Sequence, residues 1–129
     1  MLRLQSDLVP LCLAACKGEL DTQTIEFDPR ASVGVVLAAG GYPGSYGKGD
    51  VISGIESTGS DVSKVFHAGT ALKDGHVVTA GGRVLCATAL GENVTQAQKL
   101  AYDQLALISW DKVQYRTDIG FRAIARENA

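Results

Sequence analysis

The sequence predicts an α+β fold: a mainly antiparallel, barrel-sandwich-like β-domain that carries one long covering helix. Three observations support this prediction. Six short apolar or β-branched runs follow position 32, glycine-rich turns separate them, and an amphipathic helical pattern comes after them. The 129 residues include 15 glycines and are 46% hydrophobic but only 20% charged. This composition is typical of one globular domain with a sizeable core.

A first helix is predicted near the start of the chain, with Ser6 as its N-cap and Gly18 as its end. Its apolar positions recur with helical spacing and are Leu8, Leu11, Cys12 and Ala15. Pro10 falls in the first turn, where a proline is tolerated. Residues 19–31 are then expected to form a connector.

The β-domain is predicted from a change of period after residue 31. The strand candidates are residues 33–37, 51–52, 65–67, 70–72, 77–79 and 84–90. Asp74-Gly75 lies between two of these runs, and Asp-Gly is among the strongest short-range signals for a tight hairpin. A second turn is expected at Gly81-Gly82.

The covering helix is predicted to begin at Asn93, which forms a variant capping box with Gln96 three residues later. The apolar positions of this helix that share one side are Val94, Ala97, Ala101, Leu105 and Ile108. We expect that side to cover one face of the sheet. The tail should add a short helix near residues 121–125.

Charge and cysteine content exclude several classes of function. The 12 basic and 14 acidic side chains give a net charge of −2 and are scattered along the sequence, so neither nucleic acid nor an anionic membrane is an expected partner. No secretory signal or membrane-spanning run is recognisable, which favours a cytoplasmic location. The three cysteines, Cys12, Cys16 and Cys86, cannot all pair within one chain and lack zinc-ligand spacing. We predict reduced thiols and no metal site.

The loop after the first strand contains five glycines, two tyrosines and one lysine between residues 40 and 49. Gly47-Lys48 matches the end of a phosphate-binding P-loop, but Tyr42 stands where the first glycine belongs and Gly49 where a Ser or Thr belongs. A P-loop is therefore excluded. Two interpretations remain: a tight strand connection, or a loop whose amides and Lys48 ammonium face an anionic group held by another domain.

Two arginines are further candidates for anion binding. Arg83 follows the second glycine turn, and its guanidinium presents a fixed fork suited to carboxylate or phosphate. A structural ion pair at a sheet edge would explain it as well. Arg3 could reach the same cleft, although a solvated arginine accounts for it equally.

Several motifs carry a resemblance to a known family. Gly41-Tyr42-Pro43-Gly44 and Lys48-Gly49-Asp50 resemble the C-terminal domain of the phosphoribosylamine–glycine ligases, which are ATP-grasp enzymes of purine biosynthesis. The resemblance continues through residues 64–70, 79–85, 88–91 and 118–124, so it covers nearly the whole chain. It implies an enzyme that joins glycine to 5-phosphoribosylamine with ATP and forms glycinamide ribonucleotide, ADP and phosphate.

The same resemblance implies a division of the chain and of the chemistry. Residues 1–18 would be a terminal helix left over from the ATP-grasp domain, residues 19–31 a connector and residues 32–129 the C-terminal domain. ATP and magnesium (or manganese) would be bound by regions preceding position 1, and the chain alone would bind no cofactor and be inactive. Its partners would be the remaining ligase domains, with glycine and 5-phosphoribosylamine as substrates.

In this interpretation the chain forms one wall of the active-site cleft and contributes no catalytic group. The residues expected to bind substrate are Arg3, Gly41, Tyr42, Pro43, Lys48, Gly82 and Arg83.

Two other classes of function remain open. A stand-alone biotinyl or lipoyl carrier would use Lys73, which lies beside the Asp-Gly hairpin, but the Met-Lys-Met setting of such carriers is absent. A hairpin lysine often serves solubility instead. The domain could also provide only an oligomerisation or scaffolding surface.

Overall fold

The computed structural model describes residues 1–129 and contains three α-helices and five strands. The helices are α1 (Leu8–Lys17), α2 (Val94–Leu105) and α3 (Phe121–Glu127). The strands are β1 (Ala31–Ala38), β2 (Ser63–His67), β3 (Thr70–Lys73), β4 (His76–Thr79) and β5 (Arg83–Gly91). Single 3₁₀ turns form at Leu20–Thr22 and Ile55–Ser57. No helix is both long enough and apolar enough to span a membrane.

The strands form two antiparallel sheets. The larger one has the order β1-β5-β2, and β3 pairs with β4 in a separate hairpin. The predicted mixture of helices and antiparallel sheet is confirmed. The run at residues 51–52 forms a single bridge, Val51 with Val78, and Ile52 N donates to Val77 O at 2.9 Å. It is therefore a short extension beside β4 and is not assigned as a strand.

The core lies between one face of the larger sheet and α2. Successive side chains of a strand point to opposite faces, so Val33, Val35 and Leu37 of β1 are buried while the residues between them are exposed. On α2, Ala97, Ala101 and Leu105 are buried against the same face. The small side chains of Ala97 and Ala101 let the helix lie close to the sheet. An added Cβ on Gly91 would meet Ala97 N at 2.4 Å.

The capping of α2 follows the prediction. Asn93 is the N-cap, and its side chain accepts a hydrogen bond from Gln96 N at 2.8 Å. Gln96 Oε1 in turn accepts from Glu92 N at 2.7 Å. One backbone donor in the first turn of the helix and one on the residue before the N-cap are thus satisfied.

The Asp-Gly hairpin also forms as predicted. Asp74 (φ 50°) and Gly75 (φ 78°) both occupy the left-handed region, which a two-residue turn of this type requires. The turn pairs Lys73 with His76.

Two predictions for α1 are wrong. Its N-cap is Asp7, whose carboxylate accepts from Val9 N at 2.9 Å, because the Ser6 hydroxyl instead accepts from Glu26 N at 2.7 Å. Its buried residues are Leu11 and Ala14. Of the other predicted apolar positions, Leu8, Cys12 and Ala15 are exposed. The end at Gly18 (φ 74°) is confirmed.

Candidate functional site

A backbone hydrogen bond connects the start of the glycine-rich loop to the turn just before β5. Ala39 N donates to Gly82 O at 2.8 Å, and Tyr42 N donates to Ala39 O at 3.1 Å. Gly41 has φ 94°, and an added Cβ would stand 2.4 Å from Ser45 O, so only glycine fits this bend. The loop therefore holds a defined position beside the glycine turn at residues 81–82.

Two tyrosines of this loop pack against that turn. The rings of Tyr42 and Tyr46 meet edge to face with centroids 5.9 Å apart. An added Cβ on Gly82 would lie 2.2 Å from a Tyr42 ring carbon, so the ring occupies the space that a side chain would need. Gly82 is buried and determines where the Tyr42 ring lies.

Beside these rings lies a cavity of about 580 Å³ that we call the tyrosine cleft. Its lining residues are Val36, Tyr42, Tyr46, Ala68, Gly69, Gly82, Arg83, Leu85 and Cys86. This volume is in the range of small-molecule sites. The structure therefore brings together three of the predicted site residues, Tyr42, Gly82 and Arg83.

Arg83 is the charged residue of the tyrosine cleft. It is exposed and takes part in none of the four ion pairs of the chain. The structural ion pair considered as an alternative role is thus not formed within the chain. Its guanidinium is available to bind a carboxylate or phosphate through paired N–H groups.

The other predicted site residues do not line the tyrosine cleft. Gly41, Pro43 and Lys48 lie on the same loop and are exposed, with the Lys48 ammonium 6.0 Å from the centroid of the Tyr46 ring. Arg3 is bound elsewhere, because its Nε donates to Asp28 O at 2.8 Å beside the Leu4–Phe27 bridge. Substrate contact by these residues stays a prediction.

Sequence reasoning did not place Cys86, Gly69, Val36 or Tyr46 in the site. Cys86 belongs to the outer face of the sheet, in a cross-strand row with Val36 and Phe66. The sequence signal for this placement was the alternation of side chains along the strand. Leu85 and Ala87 face the core, so Cys86 between them faces outward. Burial raises the pKa of the Cys86 thiol, which therefore stays protonated at neutral pH.

The side chains that line the tyrosine cleft are of types that can bind and position a ligand. No group of three or more His, Cys, Asp or Glu side chains is arranged to hold a metal ion. His67 Nδ1 lies 3.0 Å from Thr70 Oγ1 at an exposed position, and it pairs with no Ser or Cys nucleophile. The arrangement offers one guanidinium, two phenol rings and a polar loop, and groups of these types can bind an anionic or polar molecule.

Comparisons with known proteins agree on one family. The family described as phosphoribosylglycinamide synthetase, C domain, matches residues 32–122. A phosphoribosylamine–glycine ligase of Vibrio parahaemolyticus is 60% identical over 127 residues, which are 98% of this chain and 30% of the relative. A ligase of the same name from Escherichia coli O157:H7 is 61% identical over 128 residues, again 98% and 30%.

Among solved structures, the phosphoribosylamine–glycine ligase of Thermotoga maritima superposes with a TM-score of 0.71 at 35% identity. The match covers 86% of this chain and 27% of that one. This chain thus spans about 30% of the length of the curated relatives it matches.

Proposed function

The chain belongs to the phosphoribosylglycinamide synthetase C-domain family, and we propose that it acts as the C-terminal domain of a phosphoribosylamine–glycine ligase. The observation that carries this proposal is about 60% identity over nearly the whole chain to proteins of that name. The intact ligase would use ATP to activate the carboxylate of glycine. The amine of 5-phosphoribosylamine would then attack the activated carbonyl and form the amide of glycinamide ribonucleotide, with release of ADP and phosphate.

In this proposal the chain supplies a wall of the substrate cleft and no reacting group. ATP and magnesium (or manganese) would be held by the other domains, because this chain corresponds to only about 30% of the related ligases. The isolated chain is therefore expected to be inactive. A cytoplasmic location is part of the same proposal.

Arg83 is the residue best placed to position an anionic substrate group. A guanidinium donates two parallel hydrogen bonds to a phosphate or a carboxylate, and Arg83 has no competing acid within the chain. Tyr42 and Tyr46 would exclude water on one side, which strengthens the interaction. Lys48, on the rim beside Tyr46, would add positive charge that attracts the substrate.

The apolar side of α1 is proposed to pack on the remaining ligase domains. Val9, Cys12, Leu13 and Cys16 follow i, i+3, i+4, i+7 spacing and form one exposed stripe, which we call the α1 stripe. Val9 is 64% and Leu13 is 56% exposed. A stripe of this kind is unfavourable in water unless a partner covers it. The proposed division therefore remains a closing helix (1–18), a connector (19–31) and a C-terminal domain (32–129).

The barrel-sandwich-like arrangement of the β-domain is also part of the proposal. Residues 49–52 support it, because Gly49 N donates to Thr79 O and Ile52 N donates to Val77 O, so this segment extends the β3–β4 hairpin. The family match favours a ligase domain over the carrier hypothesis for Lys73, which flanks the hairpin turn.

A chimeric enzyme tests the proposed function. The corresponding C-terminal 30% of the Escherichia coli ligase would be replaced by this chain. We expect the chimera to form glycinamide ribonucleotide from glycine, 5-phosphoribosylamine, ATP and magnesium, and the isolated chain to form none. Turnover by the isolated chain at the level of the whole enzyme would refute the proposed role, as would a folded chimera without activity.

Variants of the chimera test the tyrosine cleft. Arg83→Ala should raise KM for one substrate or lower kcat by about tenfold or more, since a charge-assisted hydrogen bond to substrate is lost. Arg83→Lys should recover part of the loss, because it keeps the charge but not the fork. Lys73→Ala, an exposed cation outside the cleft, serves as the matched control. Equal kinetics for Arg83→Ala and Lys73→Ala would remove Arg83 from the site.

A further inference from the structure

A second concave site collects positive charge near the C-terminus. Three of the six arginines of the chain, Arg116, Arg122 and Arg126, line one cavity of about 460 Å³ together with Asp118 and Phe121. We call it the arginine pocket. It shares no lining residue with the tyrosine cleft. This concentration of positive charge stands out in a chain whose net charge is −2.

One of the three arginines is neutralised. Arg116 Nε and Nη2 donate to the two carboxylate oxygens of Asp118 at 2.8 and 2.6 Å. The hydrogen bonds from Arg116 lower the pKa of Asp118, so this carboxylate is ionised at neutral pH. The pair fixes the Arg116 side chain and leaves the charge of the pocket to the other two arginines.

Arg122 and Arg126 have no acidic partner in the chain. The acid next to them in sequence, Glu127, is engaged elsewhere, because its carboxylate accepts from Val94 N at 2.9 and 3.2 Å. The Arg122 guanidinium lies 5.5 Å from the Phe121 ring centroid, within the range of a cation–π contact. Phe121 is 51% exposed, so its ring is also accessible to a ligand.

Hydrogen bonds from α2 hold the backbone beside the arginine pocket. Tyr102 Oη donates to Arg116 O at 2.6 Å and accepts from Ile119 N at 3.2 Å. Gln98 Nε2 donates to Ile119 O at 2.6 Å. Two side chains of α2 thus hold the backbone that leads into α3, and the two free arginines project from a fixed base.

We propose that the arginine pocket binds a small anion that carries a diphosphate group. Arg122 and Arg126 are spaced i, i+4, so their side chains leave α3 about 6 Å apart along the helix axis, which suits two adjacent anionic groups. Each guanidinium can donate a pair of hydrogen bonds to one phosphate. The cavity volume falls in the range of small-ligand sites. This inference is independent of the ligase reaction, since no residue of the proposed substrate site takes part.

Titration of the 129-residue chain with inorganic pyrophosphate tests the proposal. Calorimetry on the Arg83→Ala variant, which lacks the guanidinium of the tyrosine cleft, should give saturable binding, and the amide NMR shifts should change in residues 116–126. The double variant Arg122→Gln/Arg126→Gln should weaken binding by about tenfold or more, because two charge-assisted contacts are lost. The matched control Lys64→Gln/Lys73→Gln removes the same charge at exposed positions outside the pocket and should bind within about twofold of the parent.

The source of the diphosphate is distinguished by comparing ligands. Inorganic phosphate should bind more weakly than pyrophosphate, since it offers a single anionic group. ADP binding tighter than pyrophosphate, with the difference removed by Phe121→Leu, would identify a nucleotide whose base stacks on the ring. Equal affinities for ADP and pyrophosphate would identify the diphosphate alone.

Three results would overturn the proposal: no saturable binding of pyrophosphate at millimolar concentration, equal weakening in the control, or no amide shifts in residues 116–126 of the Arg83→Ala variant. Circular dichroism would verify that each variant is folded. Should the glutamine variant unfold, Arg122→Lys/Arg126→Lys replaces it, because lysine retains charge and helix propensity. That variant should weaken pyrophosphate binding measurably, since the bidentate forks are lost, and unchanged affinity would count against the proposal.

Discussion

Residues 1–30 and residues 31–129 are organised in different ways. Of the 24 buried residues, only Leu11, Ala14 and Asp28 lie in the first region. The 14-residue hydrophobic cluster lies entirely in the second. In contrast, seven of the 14 exposed large hydrophobic side chains belong to the first 30 residues. The second region encloses its own hydrophobic core, whereas the much shorter first region carries half of the exposed large hydrophobic side chains.

The difference shows which contacts hold each region. Residues 31–129 are stabilised by burial of apolar surface between sheet and helix. Residues 1–30 are held mainly by polar contacts, including the ion pair of Arg30 with Asp28 and the hydrogen bond from Arg3 to Asp28 O. In the proposed ligase, the first region would be a junction whose exposed apolar side chains contact the other domains.

The largest expected effect comes from truncating the core. Leu37 is fully buried in the hydrophobic cluster, so Leu37→Ala should lower the free energy of unfolding by about 2–5 kcal/mol. Leu11→Ala, on α1, should leave the main transition within about 0.5 kcal/mol, because Leu11 lies outside that cluster. Trp110, the single tryptophan, is buried in the cluster and reports on it in a urea titration. Equal losses would mean that both regions unfold as one unit.

A smaller loss is expected at the contact between the glycine turn and the tyrosine loop. Gly82→Ala puts a Cβ 2.2 Å from a Tyr42 ring carbon and should cost about 1–3 kcal/mol while displacing the ring. Gly47→Ala on the same loop is the control, since an added Cβ there meets nothing within 4 Å. Urea titration gives the stability, and the tyrosine ring signals in NMR report the displacement. A neutral Gly82→Ala would show that the ring can move aside freely.

The N-caps of α1 and α2 also test whether the two regions unfold separately. Asn93→Ala should cost about 1 kcal/mol in the main transition, because α2 is part of the core. Asp7→Ala removes a cap of the same kind from α1 and should reduce only local helix content, read from amide exchange of residues 8–17. A comparable shift of the Trp110 transition in both variants would contradict the independence of α1.

Much of the fold could be predicted from the sequence, because the local turn and capping signals were compatible with the packing of the core. Asp74-Gly75 and the Asn93–Gln96 box depend on neighbouring residues only, and both formed as predicted. The apolar face of α1 was misassigned because both of its sides are apolar, so periodicity could not select the one that packs.

The candidate site was only partly accessible to such reasoning. Gly82 and Arg83 were predicted as site residues because a glycine turn and a guanidinium can be recognised in the sequence as features of an anion-binding site. Cys86 and Gly69 were missed, since their place in the tyrosine cleft arises from strand pairing between distant residues. Arg3 was placed near the cleft on position alone, whereas its actual partner, Asp28 O, lies 25 residues away.

A pH dependence is expected within the junction, residues 1–30, and it should affect the core less than any of the changes above. The side-chain hydrogen bond from Arg30 lowers the pKa of Asp28 to about 2, whereas an unfolded aspartate titrates near 3.9. A lowered pKa stabilises the folded form fully above the unfolded value, and that contribution is lost as the pH falls from about 4 to about 2. The amide of Arg30, which donates to Asp28 Oδ1 at 2.9 Å, should therefore shift in NMR with a midpoint near 2.

Asp28→Asn should abolish that titration without changing the Trp110 emission at neutral pH, since Asp28 lies outside the hydrophobic cluster. A midpoint near the unfolded value would show that the pair forms too weakly to hold the junction. A Trp110 transition that follows the Asp28 midpoint, and disappears in Asp28→Asn, would instead show that the junction supports the core. In that case the first 30 residues would belong to the cooperative unit of the domain, and α1 would already be stabilised before any other domain contacts it.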